Sequence, residues 1–286
     1  MVGQDAFEPS RLLRGGETTL AMIEFKGVSF RQPNGIMALR DINLQIEAGE
    51  MVSIVGGNGA GKTTLLKHLN GLLKPTTGSV KVFGRETREM SVAQLSRRIG
   101  LVFQNSDHQL FSDTAEAEVL FGLKNFGFGE QEAKRRADEV FRYFGLEGLR
   151  GRAPLTLSGG EKKRLCIAAV MAWDPDVLVL DEPTVGQDYT SKNRILETVR
   201  KLVSDGKTVI IVSHDLEFLW PLNPRTIVMS EGRILADGEP QSIFLQAELL
   251  SSAGLKQPQL VSIAGLFGVQ KPFGNVNEAL KWFVER

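Results

Sequence analysis

One glycine-rich segment, Gly56 to Thr64, combines residue types and spacings that could do chemistry. It fits the pattern G-x-x-x-x-G-K-[ST], in which backbone N–H groups surround a polyphosphate at a helix N-terminus. Lys62 would reach the β- and γ-phosphates, and the Thr63 hydroxyl would bind Mg²⁺. A glycine-rich turn with a surface lysine is the alternative, but the apolar run Met51–Val55 before the segment favours a nucleoside triphosphate site. The predicted nucleotide-binding residues are Gly56, Gly57, Asn58, Gly59, Ala60, Gly61, Lys62, Thr63 and Thr64.

Two acidic residues follow a second apolar run, Val177–Leu180, which is typical of a buried strand. At the carboxyl edge of a parallel sheet, Asp181 would hold Mg²⁺ through water, and Glu182 would orient or deprotonate the attacking water. An acidic turn that merely ends a strand is the simpler interpretation. His214 ends another strand, where a structural hydrogen bond competes with a contact to the γ-phosphate. We predict that Glu182 and His214 are catalytic.

The segment Leu157–Arg164, with the sequence LSGGEKKR, combines a capping pattern with exposed backbone. Ser158 and Glu161 fit the capping box, so a well-capped helix is one interpretation. Gly159 and Gly160 would also expose the backbone at the positive end of that helix, which makes an anion site. Because a helical insertion separates this segment from the phosphate-binding segment, we expect it to serve the nucleotide of another copy of the chain.

These residues must be positioned by strands and helices, and the order of the apolar patterns along the chain predicts an α/β fold. Alternating apolar residues indicate antiparallel strands at Ile23–Lys26, Val28–Arg31 and Ile42–Glu47, ahead of a parallel core. Between about residues 106 and 173, strand signals vanish and helical spacing predicts an inserted helical subdomain. The other predicted elements are a helix from Lys62 to about Leu73, a strand at Ser79–Phe83, a helix at Val92–Arg98, strands at Ile99–Phe103 and Val177–Leu180, a helix at Ser191–Val203, a strand at Thr208–Val212, a hairpin of Thr226–Met229 with Arg233–Ala236, and a last helix at Asn277–Val284.

Composition narrows the function classes. Lysine plus arginine number 34, as do aspartate plus glutamate, so no basic field points to a nucleic-acid partner. The single cysteine, Cys166, excludes an intramolecular disulfide and, among apolar neighbours, predicts a buried inert thiol. No apolar run approaches the roughly 18 residues of a membrane helix, so we expect a soluble chain linked to a membrane through a partner. Residues 1–21 show no sustained apolar period, which predicts a flexible leader, with Met22 as an alternative start.

Taken in order, the phosphate-binding segment, Gln104 after a strand, LSGGEKKR, LVLDEP and SHD resemble the ATP-binding-cassette (ABC) ATPases over about Ile23–Gly238. The resemblance implies a RecA-like P-loop NTPase core with an N-terminal antiparallel β subdomain, an inserted α-helical subdomain and a small C-terminal extension. It also implies the cofactors ATP and Mg²⁺ and a head-to-tail dimer that sandwiches two ATP molecules. By resemblance, the signature residues act on the nucleotide of the other subunit; they are Ser158, Gly159, Gly160 and Glu161. Also by resemblance, Thr63, Gln104 and Asp181 bind Mg²⁺, the last through water, and Asp188 links the two sites.

The stretch Val102–Phe111 resembles more narrowly the energy-coupling-factor (ECF) importer ATPases, including cobalt and nickel transporter subunits, through its Asn-x-Asp-x-Gln-x-Phe pattern. The tail, with Ala253–Leu255 and Pro258, is similar to their C-terminal dimerisation extension. This implies a T-type transmembrane component, a substrate-binding S component and a second, identical or related, ATPase subunit. The expected function is ATP hydrolysis at the cytoplasmic face of the membrane, as a peripheral subunit that energises uptake of a vitamin or a transition-metal ion. The predicted domains are the leader, an ATPase domain at 22–240 and an extension at 241–286.

The sequence departs from the family pattern at Gln32 and Gln187. Gln32 stands where an aromatic residue usually stacks on adenine, so we expect weaker base affinity or imperfect substitution by Phe30. Gln187 replaces the usual leucine beside Asp188, which would alter dimer packing.

Two other functions within the family remain alternatives. One is an ordinary ABC importer ATPase. The other is an ABC ATPase of DNA repair or the ribosome, although those chains usually carry a coiled-coil insertion or two cassettes. A small-molecule kinase would leave Leu157–Arg164 unexplained.

Overall fold

The computed structural model describes residues 21–269 and 272–285, so apart from Ala21 the predicted leader lies outside the described residues. The strands in chain order are β1 (Ile23–Arg31), β2 (Met37–Ile46), β3 (Met51–Val55), β4 (Thr77–Val82), β5 (Arg85–Glu86), β6 (Ile99–Val102), β7 (Val177–Asp181), β8 (Thr208–Ser213), β9 (Arg225–Ser230) and β10 (Arg233–Gly238). The α-helices are α1 (Lys62–Leu69), α2 (Val92–Arg98), α3 (Ala115–Asn125), α4 (Glu130–Tyr143), α5 (Gly159–Met171), α6 (Tyr189–Ser204), α7 (Leu216–Leu219), α8 (Pro240–Phe244), α9 (Ala247–Ser252), α10 (Gln259–Leu266) and α11 (Val276–Val284).

The N-terminal part forms an antiparallel sheet in the order β2-β1-β4-β5. β1 is one strand, whereas the sequence predicted two. Its register against β2 shifts between Phe25 and Val28, and Gly27 adopts a φ of 58°. This combination is a β-bulge with glycine in the left-handed region, which interrupts the alternation of side chains without ending the strand.

The central sheet has the order β10-β9-β3-β8-β7-β6 and is parallel except for β10. β3 lies between β8 and β9, and β7 lies on the other side of β8. Neighbouring parallel strands end at the same edge, so the carboxyl ends of β3, β7 and β8 adjoin one another. Their side chains are largely buried on both faces, which explains the continuous apolar runs in the sequence.

Helices α3, α4 and α5 occupy the stretch between β6 and β7 that the sequence predicted to be helical. The first core helix, α1, ends at Leu69 instead of near Leu73. Gly71 takes a φ of 72°, and the Asn70 side chain accepts a hydrogen bond from the backbone N–H of Leu72 at 3.1 Å. The left-handed conformation of Gly71 and this hydrogen bond replace the helical hydrogen-bond pattern, so the helix ends one turn earlier than predicted.

The central sheet separates two hydrophobic cores, and the predicted α/β fold is confirmed. In β8, Val209 and Ile211 face the core that contains the helical insertion, whereas Ile210 and Val212 face the core shared with the antiparallel sheet. Cys166 is a free, buried thiol in the first of these cores, as predicted. Within the described ranges, no helix has the length and apolar character needed to cross a bilayer.

The C-terminal extension packs onto the ATPase core. Six of its residues are buried in the same core as the helical insertion; they are Ile243, Phe244, Leu250, Ala253, Leu255 and Val261. A small separate cluster lies further along the chain and contains Ala264, Phe273 and Ala279. The first half of the extension therefore shares its hydrophobic core with the elements that carry the candidate site.

Candidate functional site

The phosphate-binding segment links β3 to α1 and contains backbone contacts that only glycine allows. A Cβ atom on Gly56 would lie 2.3 Å from the Met229 carbonyl oxygen, and one on Gly61 would lie 2.7 Å from the Ala38 carbonyl oxygen. Gly61 also adopts a φ of 103°, which side-chain-bearing residues rarely adopt. These glycines are therefore required by packing as well as by the predicted approach of phosphate to the backbone.

Lys62 is the positive charge inside this loop. Its ammonium donates to the carbonyl oxygens of Gly56 at 2.6 Å and Gly57 at 3.1 Å. It lies 3.9 Å from Glu182 Oε1, and its side chain is 8% exposed. Burial lowers the pKa of Lys62, while the negative charges of Glu182 and Asp181 oppose that shift. The loop thus places a cation directly beside the two acidic residues at the end of β7.

Glu182 and His214, the two predicted catalytic residues, contact each other. Glu182 adopts a φ of 45°, and its backbone N–H donates to Val212 O at 2.8 Å. Its Oε1 lies 2.9 Å from His214 Nδ1, and its Oε2 lies 3.3 Å from the backbone N of His214. Because a carboxylate can only accept, Nδ1 of His214 carries the proton. The pair fixes the direction of a carboxylate that is only 9% exposed.

Ser213 also holds Glu182, a role that no sequence motif assigns to it. Its hydroxyl lies 3.3 Å from Glu182 Oε2 and accepts a hydrogen bond from the backbone N–H of Asp215 at 3.0 Å. The residue is fully buried at the end of β8. Its position directly before His214 was the only signal in the sequence.

A cavity of about 490 Å³ brings together most of the predicted nucleotide and metal residues. It is lined by Asn58 to Thr64, Gln104, Asp181 and Glu182. Gly56, Gly57 and His214 do not line it, although Lys62 and Glu182 contact them. Burial, and then the neighbouring charge of Glu182, raise the pKa of Asp181. A bound cation would reverse this shift, because it would stabilise the ionised carboxylate.

The residues predicted to bind Mg²⁺ fit that ion chemically. Thr63, Gln104 and Asp181 offer a hydroxyl, an amide oxygen and a carboxylate to the same cavity. These are hard oxygen ligands, and a single carboxylate suits an ion that keeps several waters and shares phosphate oxygens. Among the described residues, no group of three or more His, Cys, Asp or Glu could hold a metal without such help.

Among the described residues, no aromatic side chain lines this cavity. Besides the phosphate-binding segment and the acidic residues, its lining includes Gln32, Ile36, Met37 and Arg40. The Phe30 ring packs edge-on against His68, with centroids 5.0 Å apart, and does not line the cavity. Phe30 is therefore not placed to substitute for the aromatic residue that Gln32 replaces.

The signature residues cap α5 as the sequence predicted. Ser158 Oγ and the Ser158 backbone N–H both donate to Glu161 Oε2 at 2.8 Å, and the Glu161 backbone N–H donates back to Ser158 Oγ. These hydrogen bonds lower the pKa of Glu161. A Cβ on Gly160 would lie 2.3 Å from Ser191 Oγ, so Gly160 also serves the packing of α6 against α5. None of Ser158 to Glu161 lines the cavity of the phosphate-binding segment.

A second cavity, of about 710 Å³, lies beside the first. Gln104 and Asp181 line both cavities, and Gly159 and Gln187 line only the second. Asp188 caps α6 by accepting a hydrogen bond from the Ser191 backbone N–H at 2.7 Å, which lowers the pKa of Asp188. The segment that contains Asp188 thus lies between the start of α5 and the end of β7.

Lys163 connects the signature helix to Gln104, a contact that no sequence motif predicts. Its ammonium donates to the carbonyl oxygens of Phe103 and Gln104, each at 2.8 Å, and the residue is 1% exposed. The available signal was a lysine four residues before Ile167 on the apolar side of the predicted helix. Because of this contact, the start of α5 and the Gln104 segment form one connected unit.

Comparison with known proteins identifies the family of the chain. The family model described as ABC transporter matches residues 39–185. The energy-coupling factor transporter ATP-binding protein EcfA of Methanothermobacter thermautotrophicus is 42% identical over 244 residues, which are 85% of this chain and 78% of that protein.

Two solved structures are similar to the chain. One is cbiO1 from Clostridium perfringens, described as part of the ABC transporter complex cbiONQ, with a TM-score of 0.75 and 34% identity over 87% of this chain and 99% of that one. The other is a dimeric ATP-binding cassette in a post-hydrolysis state bound to ADP and phosphate, with a TM-score of 0.68 and 31% identity over 76% of this chain and 98% of that one. With the phosphate-binding loop, the paired acids and the capped signature in place, the chain belongs to the ABC transporter family and is one of its ATP-hydrolysing subunits.

Proposed function

We propose that this ATPase energises uptake of a micronutrient, a vitamin or a transition-metal ion, through a transmembrane partner. Two ATPase subunits would close around two molecules of Mg·ATP. Each nucleotide would lie between the phosphate-binding segment of one subunit and Ser158–Glu161 of the other. The names of EcfA, an energy-coupling factor transporter protein, and of the cbiONQ complex, an ABC transporter complex, support a transmembrane partner. By resemblance to the ECF importers, that partner would comprise a T-type membrane component and a substrate-binding S component. The chain would act as a peripheral protein at the cytoplasmic face.

One observation carries this proposal. The cavity that contains Lys62, Asp181 and Glu182 receives no signature residue from its own chain. The backbone at the start of α5 nevertheless has the polarity that binds anions, and Ser158 orders it. Each chain thus carries a phosphate-binding segment without a signature and a signature without a phosphate-binding segment. When two chains meet head to tail, each phosphate-binding segment would face the signature of the other chain, which completes two sites.

The residues of the chain divide the hydrolytic step among them. Lys62 would exchange its contacts to Gly56 and Gly57 for phosphate oxygens. Glu182 would take a proton from water as the water oxygen bonds to the γ-phosphorus and the bond to the leaving ADP oxygen breaks. Ser213 and His214 would keep the Glu182 carboxylate oriented toward that water. Mg²⁺, when bound by Thr63, Gln104 and Asp181, would neutralise charge on the phosphates.

Subunit mixing tests the composite site. We compare Lys62→Ala, which removes the loop cation, with Ser158→Asn, which keeps a good helix cap but removes the hydroxyl. Each variant alone should hydrolyse ATP poorly. In a mixed dimer, the intact loop of the Ser158→Asn subunit faces the intact signature of the Lys62→Ala subunit. Mixing should therefore restore ATP hydrolysis that neither variant has alone.

Thermal unfolding of both variants controls for lost structure, and mixing each variant with itself controls for concentration. A mixture that stays as inactive as its components, although both fold and dimerise, would contradict the composite site. Full activity in a strictly monomeric wild-type preparation would contradict it as well.

A further inference from the structure

The C-terminal extension contacts the phosphate-binding segment directly, backbone against backbone. The N–H of Gly57 donates to the carbonyl oxygen of Ala253 at 2.8 Å. A Cβ atom on Gly57 would lie 3.1 Å from the same oxygen and 3.7 Å from Gly254 Cα. The extension and the phosphate-binding segment therefore meet here with no space for a side chain between them.

The Ala253 carbonyl is held in place by the way α9 ends. Gly254 adopts a φ of 70°, its N–H donates to Ser251 O at 3.0 Å, and the Leu255 N–H donates to Leu250 O at 2.8 Å. This is a Schellman motif, which satisfies the last carbonyls of a helix and fixes its exit direction. Leu250, Ala253 and Leu255 are buried in the core that also contains Val55, the last residue of β3. The carbonyl is thus positioned by the core and not by the loop it touches.

The extension also contacts the segment that follows His214. The Gln259 backbone N–H donates to Glu217 Oε1 at 2.6 Å. The Trp220 indole N–H donates to the Phe273 carbonyl oxygen at 2.7 Å, and this contact is buried. Glu217 belongs to α7, which begins two residues after His214. The extension therefore contacts both the phosphate-binding segment and the segment that follows His214.

We propose that the C-terminal extension positions the phosphate-binding segment through Ala253, so that residues beyond the ATPase domain set the affinity for nucleotide. Phosphate binds to the backbone N–H groups of the loop, and a loop already held by Gly57 loses less conformational freedom on binding. By linkage, nucleotide must stabilise the extension as much as the extension strengthens nucleotide binding. The inference rests on the proposed assignment of Gly56–Thr64 as the nucleotide-binding loop.

Two matched substitutions in the full chain test this positioning role. Gly254→Val forces a β-branched residue into the left-handed region and displaces the Ala253 carbonyl. Gly268→Val is the control, because Gly268 also ends a helix of the extension with a φ of 67°, and the Val269 N–H donates to Ala264 O in the same motif. Among the described residues, no atom lies within 4 Å of its Cβ position.

Both substitutions should lower the unfolding temperature to a similar extent. Only Gly254→Val should raise the Kd and KM for ATP, by a few-fold to about tenfold, as expected for one net hydrogen bond, with kcat at saturating ATP little changed. Equal ATP affinity in Gly254→Val and wild type would overturn the inference, as would an equal loss in both variants.

Hydrogen exchange in the unsubstituted chain provides a second measurement that does not depend on the variants. Saturating ATP should slow exchange of the Gly57 and Leu255 amides but not that of the Val269 amide. Unchanged exchange at Leu255 would overturn the inference. A wild-type chain that binds no ATP would instead overturn the proposed function, and the inference with it.

Discussion

Lys62 is buried and Asp181 is half-buried, and loss of solvent shifts both groups toward the neutral form: the pKa of Lys62 falls and that of Asp181 rises. Phosphate oxygens near Lys62 would raise its pKa again, and a cation near Asp181 would lower that of the carboxyl. Binding of Mg·ATP would therefore draw both groups back to their charged forms. Single residues of this site couple nucleotide binding to their own ionisation.

Gln32 gives a prediction about nucleobase affinity. It lines the phosphate-loop cavity, whereas Phe30 is occupied by its contact with His68. We expect Gln32→Tyr to lower the Kd for ATP about tenfold, because stacking of a base on an aromatic ring contributes about 1–3 kcal/mol. Equilibrium titration with ATP measures the effect, and titration with inorganic tripolyphosphate, which has no base, should give unchanged affinity.

Gln131→Tyr is the matched control for this prediction. Gln131 lies exposed on α4 and does not line the phosphate-loop cavity, so its substitution should change neither titration. If Gln32→Tyr leaves the ATP affinity unchanged, or strengthens tripolyphosphate binding equally, the side chain at position 32 does not contact the base.

Among the helices, α5 connects two functional segments. Its first residues form the signature, and Lys163, one turn later, donates to the backbone at Phe103 and Gln104. Lys162 adds an ion pair with Asp107 at 2.6 Å. A movement of this helix would therefore carry the Gln104 segment with it. Such a rigid connection is what a change at the nucleotide would need to reach a membrane partner.

Lys163→Met should separate these two segments. Methionine is similar in size to lysine, so the helix face stays filled, but the carbonyl oxygens of Phe103 and Gln104 lose their buried donor. We expect the free energy of unfolding to fall by about 1–3 kcal/mol, the usual loss for an unsatisfied buried polar group. Urea unfolding measures that change, and faster amide exchange at residues 103–105 reports the released segment.

The neighbouring substitution, Lys162→Met, serves as control. Asp107, the partner of Lys162, is 55% exposed, so the lost ion pair should contribute at most about 1 kcal/mol. If the two variants lose equal free energy of unfolding, the buried contact of Lys163 contributes no more to stability than the exposed ion pair of Lys162.

How far the sequence predicts each element depends on the range of the interactions that form it. The phosphate-binding segment and the cap at Ser158 are local, so the spacing of a few residues identified them. The contacts of Lys163 with Gln104 and of Ala253 with Gly57 join distant parts of the chain, and no local pattern indicates them. For Gly160, the sequence indicated exposed backbone, whereas Ser191 on α6 provides a separate steric reason for glycine.

At the scale of the whole molecule, a pair of exposed aromatic residues forms a candidate docking surface for the membrane partner. Phe111 is 64% exposed and Phe121 is 46% exposed, and their rings contact each other edge to face with centroids 4.8 Å apart. They border a groove that also includes Leu120 and Lys124. Exposed aromatic residues that contact each other beside a groove are typical of an interaction site.

Gentle detergent extraction of native membranes tests the importer proposal. The wild-type chain should be recovered with transmembrane subunits, and the double substitution Phe111→Ser and Phe121→Ser should lose them. Leu235→Ser is the control, because Leu235 is a 43% exposed apolar residue on β10, outside the groove. Recovery with ribosomes or DNA instead of membrane proteins would contradict the importer proposal.

Because Cys166 is buried, its reaction with a thiol reagent can measure how often the surrounding core opens. Burial raises the pKa of this thiol to about 11, so the reactive thiolate is scarce at neutral pH. It is the only cysteine of the sequence, and it lies on α5, buried in the core that contains the helical insertion. A thiol reagent can therefore label the chain only when that core opens. The labelling rate, with and without nucleotide, would follow the opening of the helical insertion without any engineered probe.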